Sequence, residues 1–157
     1  MKSTRHSKIT GDFGESLILY YLSLSGFECA RVDHTGIDLI ARLPQSEHPL
    51  GISVKTRSRL PGTERTSLNL YKDDFPKVEK ACLAFGCVPY VGLVFDTPLS
   101  IYVYVLALAH LRELVPGGSK VVAWPMSPQR IASYAKDPNI KSMEWRRAGS
   151  TWWEGAV

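Results

Sequence analysis

The sequence predicts an α/β domain in which helices flank a mixed β-sheet. Long helical patterns alternate with short runs of β-branched and aliphatic residues, in the order α-β-β-β-α-β-β-α. A chain of 157 residues suits one domain, which can bury roughly 70% of the surface exposed by its unfolded chain. No internal repeat or low-complexity segment divides the sequence. We therefore expect a single domain.

The first helix is predicted to begin at residue 10 or 12 and to end at residue 25, with Gly26 just past its C-terminal cap. The basic residues 1–8 form either a frayed start or a basic arm. Glu15 lies on the inward, apolar stripe of this helix, where a carboxylate is rarely found unless it is paired or has a functional role. Residues 12–15 also fit a capping box, which would explain Glu15 without any metal ion.

The later elements follow from turn residues and from the alternation of apolar side chains. We expect strands at 27–32, 36–42, 51–55, 90–95, 101–106 and 121–124, and helices from 73 or 74 to 85, at 108–114, and from 127 or 128 to 136. The second helix should bury a stripe formed by Val78, Ala81, Cys82 and Phe85. A mobile loop is expected at 56–69. The tail at 141–157 is ambiguous, and its tryptophans could cover the core.

The hairpin in the middle of the sheet brings polar side chains together. If the hairpin is symmetric about its proline-bounded loop at 44–49, Asp38 lies opposite Lys55. Because side chains alternate along a strand, Ser53 shares a face with Lys55, whereas Val54 points to the other side. The pattern predicts a carboxylate, a hydroxyl and an ammonium on one face of the sheet. We interpret this face as the active site.

The composition points to a cytoplasmic protein with an anionic partner. The formal net charge is +4, which leans towards such a partner. Three cysteines without C-x-x-C spacing argue against a disulfide framework or a zinc site and favour a reducing compartment. The N-terminus has no apolar segment typical of a signal peptide, and the apolar run at 17–22 is too short to span a bilayer. We therefore expect no membrane association.

Three short motifs resemble the PD-(D/E)XK nuclease superfamily. They are Glu15 in the first helix, Gly36-Ile37-Asp38 at the start of one strand, and Ser53-Val54-Lys55 at the end of the next. The resemblance is closest to archaeal Holliday junction resolvase-like and related restriction endonuclease-like domains, and it covers roughly residues 11–95. It implies one restriction endonuclease-like domain over 1–157, with a core at about 11–106 and a C-terminal extension at 107–157.

The resemblance also implies an activity and a set of site residues. It implies a metal-dependent endonuclease that hydrolyses DNA phosphodiester bonds, in branched or damaged DNA, and that forms a homodimer. Asp38 would be the central ligand of Mg²⁺ or Mn²⁺, with the Val54 carbonyl and Glu15. The Ser53 hydroxyl would hold a water molecule, and Lys55 would orient or deprotonate the attacking water. Phosphates of the DNA backbone would be gripped by Arg57, Arg59 and Arg65.

Two positions depart from the pattern of the superfamily. Gly36-Ile37 replaces the nominal proline before the aspartate. Ser53 stands where the superfamily usually has Glu, Asp or Gln, and members with Ser-x-Lys take the missing carboxylate from a nearby helix. The available donors here are Asp73, Asp74, Glu79 and, in the loop, Glu64. The spacing does not choose among them. The alternative function is therefore a nuclease-fold module that has lost cleavage and binds nucleic acid or a protein partner.

Taken singly, each motif also has an ordinary explanation. Asp38 could close an Asx turn, and Lys55 could be a solvated lysine at a strand end. The three arginines could belong to a solvated loop. A third possibility is a structural or regulatory α/β domain without a nucleic-acid role. The order of the motifs and their shared face favour the nuclease interpretation over these explanations.

Overall fold

The computed structural model of the chain describes residues 4–115, 117–118 and 120–148. In these ranges the helices are α1 (Thr4–Leu24), α2 (Phe75–Phe85), α3 (Leu108–Leu114) and α4 (Pro128–Lys136). The strands are β1 (Glu28–His34), β2 (Ile37–Arg42), β3 (Leu50–Ser58), β4 (Leu68–Tyr71), β5 (Val88–Asp96), β6 (Ser100–Ala107), β7 (Val121–Trp124) and β8 (Lys141–Arg146). A short 3-10 helix, Lys72–Asp74, leads directly into α2.

Six strands form one mixed sheet in the order β1-β2-β3-β5-β6-β8. Strands β3 and β5 run parallel, and all other neighbours in this sheet run antiparallel. A separate two-stranded sheet pairs β4 with β7. Helices pack against the central sheet, so the predicted α/β class with a helix-flanked mixed sheet is confirmed.

Side chains that alternate along the strands enter two apolar clusters, one on each face of the central sheet. On β5, Leu93 and Phe95 belong to the cluster that contains α2, α3 and α4 residues, whereas Val94 belongs to the cluster that contains α1 residues. Each side chain of this size contributes about 1.5–3 kcal/mol when it is fully buried. This burial holds α1 and α2 against opposite faces of the sheet.

Helix α1 lies very close to β3. Gly14 allows this approach, because an added Cβ would overlap the Oγ1 atom of Thr56 on β3. The predicted start of the helix was wrong: α1 begins at Thr4, since no helix-breaking residue precedes Thr10, and the residues expected to fray form its first turns from residue 4 onwards. Its end agrees with the prediction, because Gly26 has a φ of 88°, which favours glycine past a helix end.

Part of the predicted mobile loop at 56–69 is β-structure. Strand β3 continues to Ser58, and β4 begins at Leu68, which pairs with Trp124 of β7. The alternation of a four-residue strand is hard to detect within a polar stretch, and its partner lies far along the chain. The first part of the ambiguous tail likewise forms β8, which pairs with β6 at the edge of the central sheet.

Phe85 at the end of α2 differs from its predicted buried role, whereas Trp145 packs against an aromatic side chain of α1, in line with the expectation that the tail tryptophans could cover the core. Val78, Ala81 and Cys82 are buried as predicted, but Phe85 is 46% exposed. Phe85 is the last residue of α2, where the chain turns away at Gly86, and its ring meets the His34 ring edge-on at 5.3 Å. The Trp145 ring packs 5.1 Å from the Tyr21 ring. Trp152 and Trp153 lie outside the described residues.

Among the residues that the structure describes, no helix has both the length and the apolar character needed to cross a membrane.

Candidate active site

The β2–β3 hairpin has a register two residues away from the predicted one. Leu39 pairs with Ile52 and Ile40 with Gly51, so the register places Asp38 towards Ser53 rather than Lys55. The tight turn, in which the Ser46 N–H donates to the Leu43 carbonyl at 3.0 Å, is not centred between the two prolines. Because the shift is an even number of residues, each side chain keeps its predicted face.

Asp38, Ser53 and Lys55 line one cavity of about 170 Å³. Its other lining residues are Thr35, Gly36, Asp74, Lys77 and Val78. Ser53 is 5% exposed, and Asp38 is half-buried. The structure therefore brings the three predicted hairpin residues together, between the β2–β3 hairpin and the N-terminal end of α2.

The Asp38 carboxylate is held by the backbone of β3. Its Oδ2 atom accepts a hydrogen bond from the Val54 N–H at 2.6 Å. Burial raises the pKa of Asp38 above its usual value, although the Val54 N–H and the Lys55 charge both lower it. The Val54 N–H and the Lys55 charge therefore do not fully offset the cost of burying the ionised carboxylate of Asp38.

Glu15 approaches Asp38 but does not line the cavity. Burial raises the pKa of Glu15, the negative charge of Asp38 raises it further, and the Arg31 guanidinium lowers it. The Arg31 Nη1 atom lies 3.6 Å from Glu15 Oε2. Because α1 begins at Thr4, Glu15 lies well inside the helix, and the capping-box explanation for residues 12–15 is wrong.

Asp74 is the carboxylate that α2 brings to the cavity. It immediately precedes the helix and lies between two ammonium groups. Lys77 Nζ is 2.9 Å from Asp74 Oδ1, and Lys55 Nζ is 3.7 Å from Asp74 Oδ2. The hydrogen bond from Lys77 is the main cause that lowers the pKa of Asp74. The negative charge of Asp74 is thus balanced by two lysines, whereas the pKa of Asp38 is raised by burial.

The other three candidate donors lie outside this cavity. Glu79 pairs with Arg112, whose Nη1 atom is 2.6 Å from Glu79 Oε1. Glu64 accepts a hydrogen bond from the Gly62 N–H in the loop after β3, and Asp73 is exposed. The sequence alone could not show which of the four acids lies near Asp38, because their distances from Asp38 depend on how α2 docks on the hairpin.

Gly36 determines how closely the hairpin packs on α2. Its φ is 112°, and an added Cβ would overlap the Lys77 carbonyl oxygen and lie 2.6 Å from the Lys77 carbonyl carbon. Lys77 is a site residue that the sequence analysis missed. The available signal was its position three residues after Asp74, where an acid and a lysine meet on a helix surface.

The three predicted phosphate-binding arginines have different environments. Arg59 donates from Nη2 to the Thr66 and Ser67 carbonyls at 3.1 and 2.8 Å, and burial lowers its pKa. It therefore holds the loop that follows β3. Arg57 and Arg65 are exposed. Arg57 donates one hydrogen bond from Nη1 to the Thr56 carbonyl at 3.0 Å, and its other guanidinium nitrogens remain available to an anionic ligand.

The cavity offers carboxylate and hydroxyl oxygens, the ligands that a divalent cation such as Mg²⁺ prefers. No group of three or more His, Cys, Asp or Glu side chains within the described ranges is already arranged as a metal site. Mg²⁺ prefers oxygen ligands but keeps several waters, so one or two carboxylates suffice. Asp38 and Asp74 line the same cavity with the Ser53 hydroxyl. These donors fit a partly hydrated Mg²⁺ or Mn²⁺ ion.

The sheet, its two flanking helices and the hairpin site together define a restriction endonuclease-like fold. A similar solved structure is that of Hjc, a Holliday junction resolvase from the archaeal hyperthermophile Archaeoglobus fulgidus. The two share 21% sequence identity with a TM-score of 0.54, over 73% of this chain and 83% of that chain. No family model and no curated protein sequence matches this chain. The likeness concerns the fold, so the function has to be argued from the site residues.

Proposed function

We propose that this chain is a single-domain, cytoplasmic endonuclease of the PD-(D/E)XK superfamily that hydrolyses DNA phosphodiester bonds with Mg²⁺ or Mn²⁺. The observation that carries the proposal is one cavity lined by Asp38, Ser53, Lys55 and Asp74. The likeness to a Holliday junction resolvase supports branched DNA as the substrate. A homodimer as the working form rests on the motif resemblance to the resolvase-like members of the superfamily. The net charge of +4 is consistent with an anionic polymer.

Asp38 and Asp74 would hold the divalent cation, with Glu15 and the Val54 carbonyl as the further oxygen donors that the superfamily resemblance implies. In such a site a divalent cation supplies positive charge that offsets the charge developing on the phosphoryl oxygens. Asp74 would replace the acid that Ser53 lacks. Ser53 has a hydroxyl that can orient a water molecule but adds no negative charge.

Lys55 would act on the attacking water and on the developing negative charge. Its side chain is 37% exposed and lines the cavity, so its ammonium group can reach a phosphate from the solvent side. A compact ammonium with three rotatable donors suits this task. Arg57 and Arg65 would bind phosphates beside the site and supply affinity without reading the sequence.

Cleavage of labelled four-way junctions and linear duplexes tests the proposal. Wild-type protein should cut in Mg²⁺ or Mn²⁺ and not in a chelator. Asp38→Asn should reduce the rate roughly 100-fold or more, because the substitution removes the buried charge that faces the cation. Lys80→Gln is the matched control, because Lys80 lies on α2 but does not line the cavity. Cleavage by Asp38→Asn or Lys55→Ala at the wild-type rate would refute the assigned site.

A second function is favoured by the chemistry at position 53. Ser53 is buried and uncharged, and Asp74 is already paired with two lysines. The alternative is therefore a module that keeps the nuclease fold, does not cleave, and binds nucleic acid or a protein partner. Salt-sensitive binding to DNA without cleavage in either metal would favour it. Loss of cleavage in Asp74→Asn would favour the active enzyme.

A further inference from the structure

The two carboxylates of the cavity differ in how their charges are compensated. Asp74 has an ammonium at hydrogen-bonding distance, the 2.9 Å contact from Lys77, and a second one from Lys55 at 3.7 Å. Asp38 is instead held by a backbone donor, the Val54 N–H, and burial raises its pKa. A divalent cation that binds both carboxylates would neutralise the charge of Asp38, but it would compete for Asp74 with the ammonium group of Lys77.

We propose that Lys77 is an internal counter-ion of Asp74 that a divalent cation has to displace, so that Lys77 sets the metal affinity of the site. This inference rests on the proposed metal-dependent function and names a residue that regulates it. A lysine ammonium and a metal cation compete for the same carboxylate oxygens. Whatever free energy the Asp74–Lys77 contact contributes is therefore subtracted from the free energy of metal binding.

Lys77, rather than Lys55, is the ammonium that can leave. Its side chain is 53% exposed and extends from the first turns of α2, so its departure needs no movement of the helix. Lys77 also lines a neighbouring cavity of about 290 Å³ with His34, Thr35 and Lys80. This space next to Asp74 leaves room for the Lys77 side chain to rotate away from the carboxylate.

Mn²⁺ binding in the absence of DNA, measured by calorimetry on the full chain, tests the proposal. The contact is partly exposed, and such ion pairs contribute about 0.2–1 kcal/mol, so Lys77→Gln should bind Mn²⁺ about 1.4- to 5-fold more tightly. Lys80→Gln removes the same charge from the next turn of α2 and should leave the affinity near that of wild type. Glutamine is a good helix former, so neither variant should unfold α2.

A double variant isolates the carboxylate through which Lys77 acts. Asp74→Asn should weaken Mn²⁺ binding, and adding Lys77→Gln to it should restore nothing, because the competition needs the Asp74 charge. Equal affinities for Lys77→Gln and Lys80→Gln would overturn the proposal, as would the absence of detectable Mn²⁺ binding in both wild type and Lys77→Gln. The proposed function is judged separately: Asp38→Asn must lose Mn²⁺ binding and cleavage whatever Lys77 does.

Discussion

Substituting Gly36 by alanine should disturb both the stability of the protein and the geometry of its site. Gly36 has a φ of 112°, in a region that residues with a Cβ rarely adopt. Holding an alanine there costs about 1–3 kcal/mol. The Cβ would also overlap the Lys77 carbonyl oxygen, which belongs to the backbone of α2 and cannot rotate away.

The magnitude follows from adding these two costs. Overpacking of this kind costs about 1–3 kcal/mol, so Gly36→Ala should lower the free energy of unfolding by about 4 kcal/mol. Gly26→Ala is the matched control, because Gly26 has a φ of 88° but nothing within 4 Å of an added Cβ. The control should lose about 1–2 kcal/mol from backbone strain alone.

Urea unfolding followed by circular dichroism measures both variants. The expected difference of about 2–3 kcal/mol corresponds to a melting temperature roughly 4–12 °C lower for Gly36→Ala than for Gly26→Ala. Gly36→Ala should also bind Mn²⁺ more weakly, because a displaced α2 carries Asp74 away from Asp38. If Gly36→Ala is no less stable than Gly26→Ala, the close packing of the hairpin on α2 does not limit stability and the reasoning fails.

Three further predictions address other contacts. His110 Nε2 lies 2.8 Å from Asp137 Oδ2, which raises the pKa of His110 from its usual 6.5 and lowers that of Asp137 from its usual 3.8. The stabilisation that His110 contributes is present below pH 6.5 and is lost as the pH rises through the raised pKa of His110. The stabilisation that Asp137 contributes is present above pH 3.8 and is lost as the pH falls through the lowered pKa of Asp137. His110→Gln should therefore lower the melting temperature most between pH 3.8 and pH 6.5. An equal loss at alkaline pH would contradict an ion pair between His110 and Asp137. Ser53→Glu should tighten Mn²⁺ binding and lower stability, because it adds a charge at a buried position beside Asp38; unchanged affinity in calorimetry would show that the site lacks no acid. Thr56→Val should leave the free energy of unfolding within about 1 kcal/mol of wild type or raise it, because within the described residues the buried Thr56 Oγ1 has no hydrogen-bond partner to lose. A loss above 2 kcal/mol in urea unfolding would instead reveal a partner for this hydroxyl.

The sequence by itself determined features that depend on neighbouring residues along the chain. Helix ends at Gly26 and Gly86 could be predicted because both glycines adopt a positive φ that other residues avoid. The common face of Asp38, Ser53 and Lys55 could be predicted because side chains alternate along any strand. This period of two residues also explains why the face survived an error of two residues in the hairpin register.

Only the tertiary structure decided which groups from distant segments meet. The pairing of β4 with β7 could not be predicted, because neither short strand has a strong pattern without its partner. Asp74 could not be separated from Asp73, Glu79 and Glu64, because only the docking of α2 on the β2–β3 hairpin brings one of them to Asp38. Distances between such segments depend on the packing of whole elements rather than on local backbone preference, and this packing brings the Lys55 ammonium of β3 to 3.7 Å from Asp74 at the N-terminal end of α2.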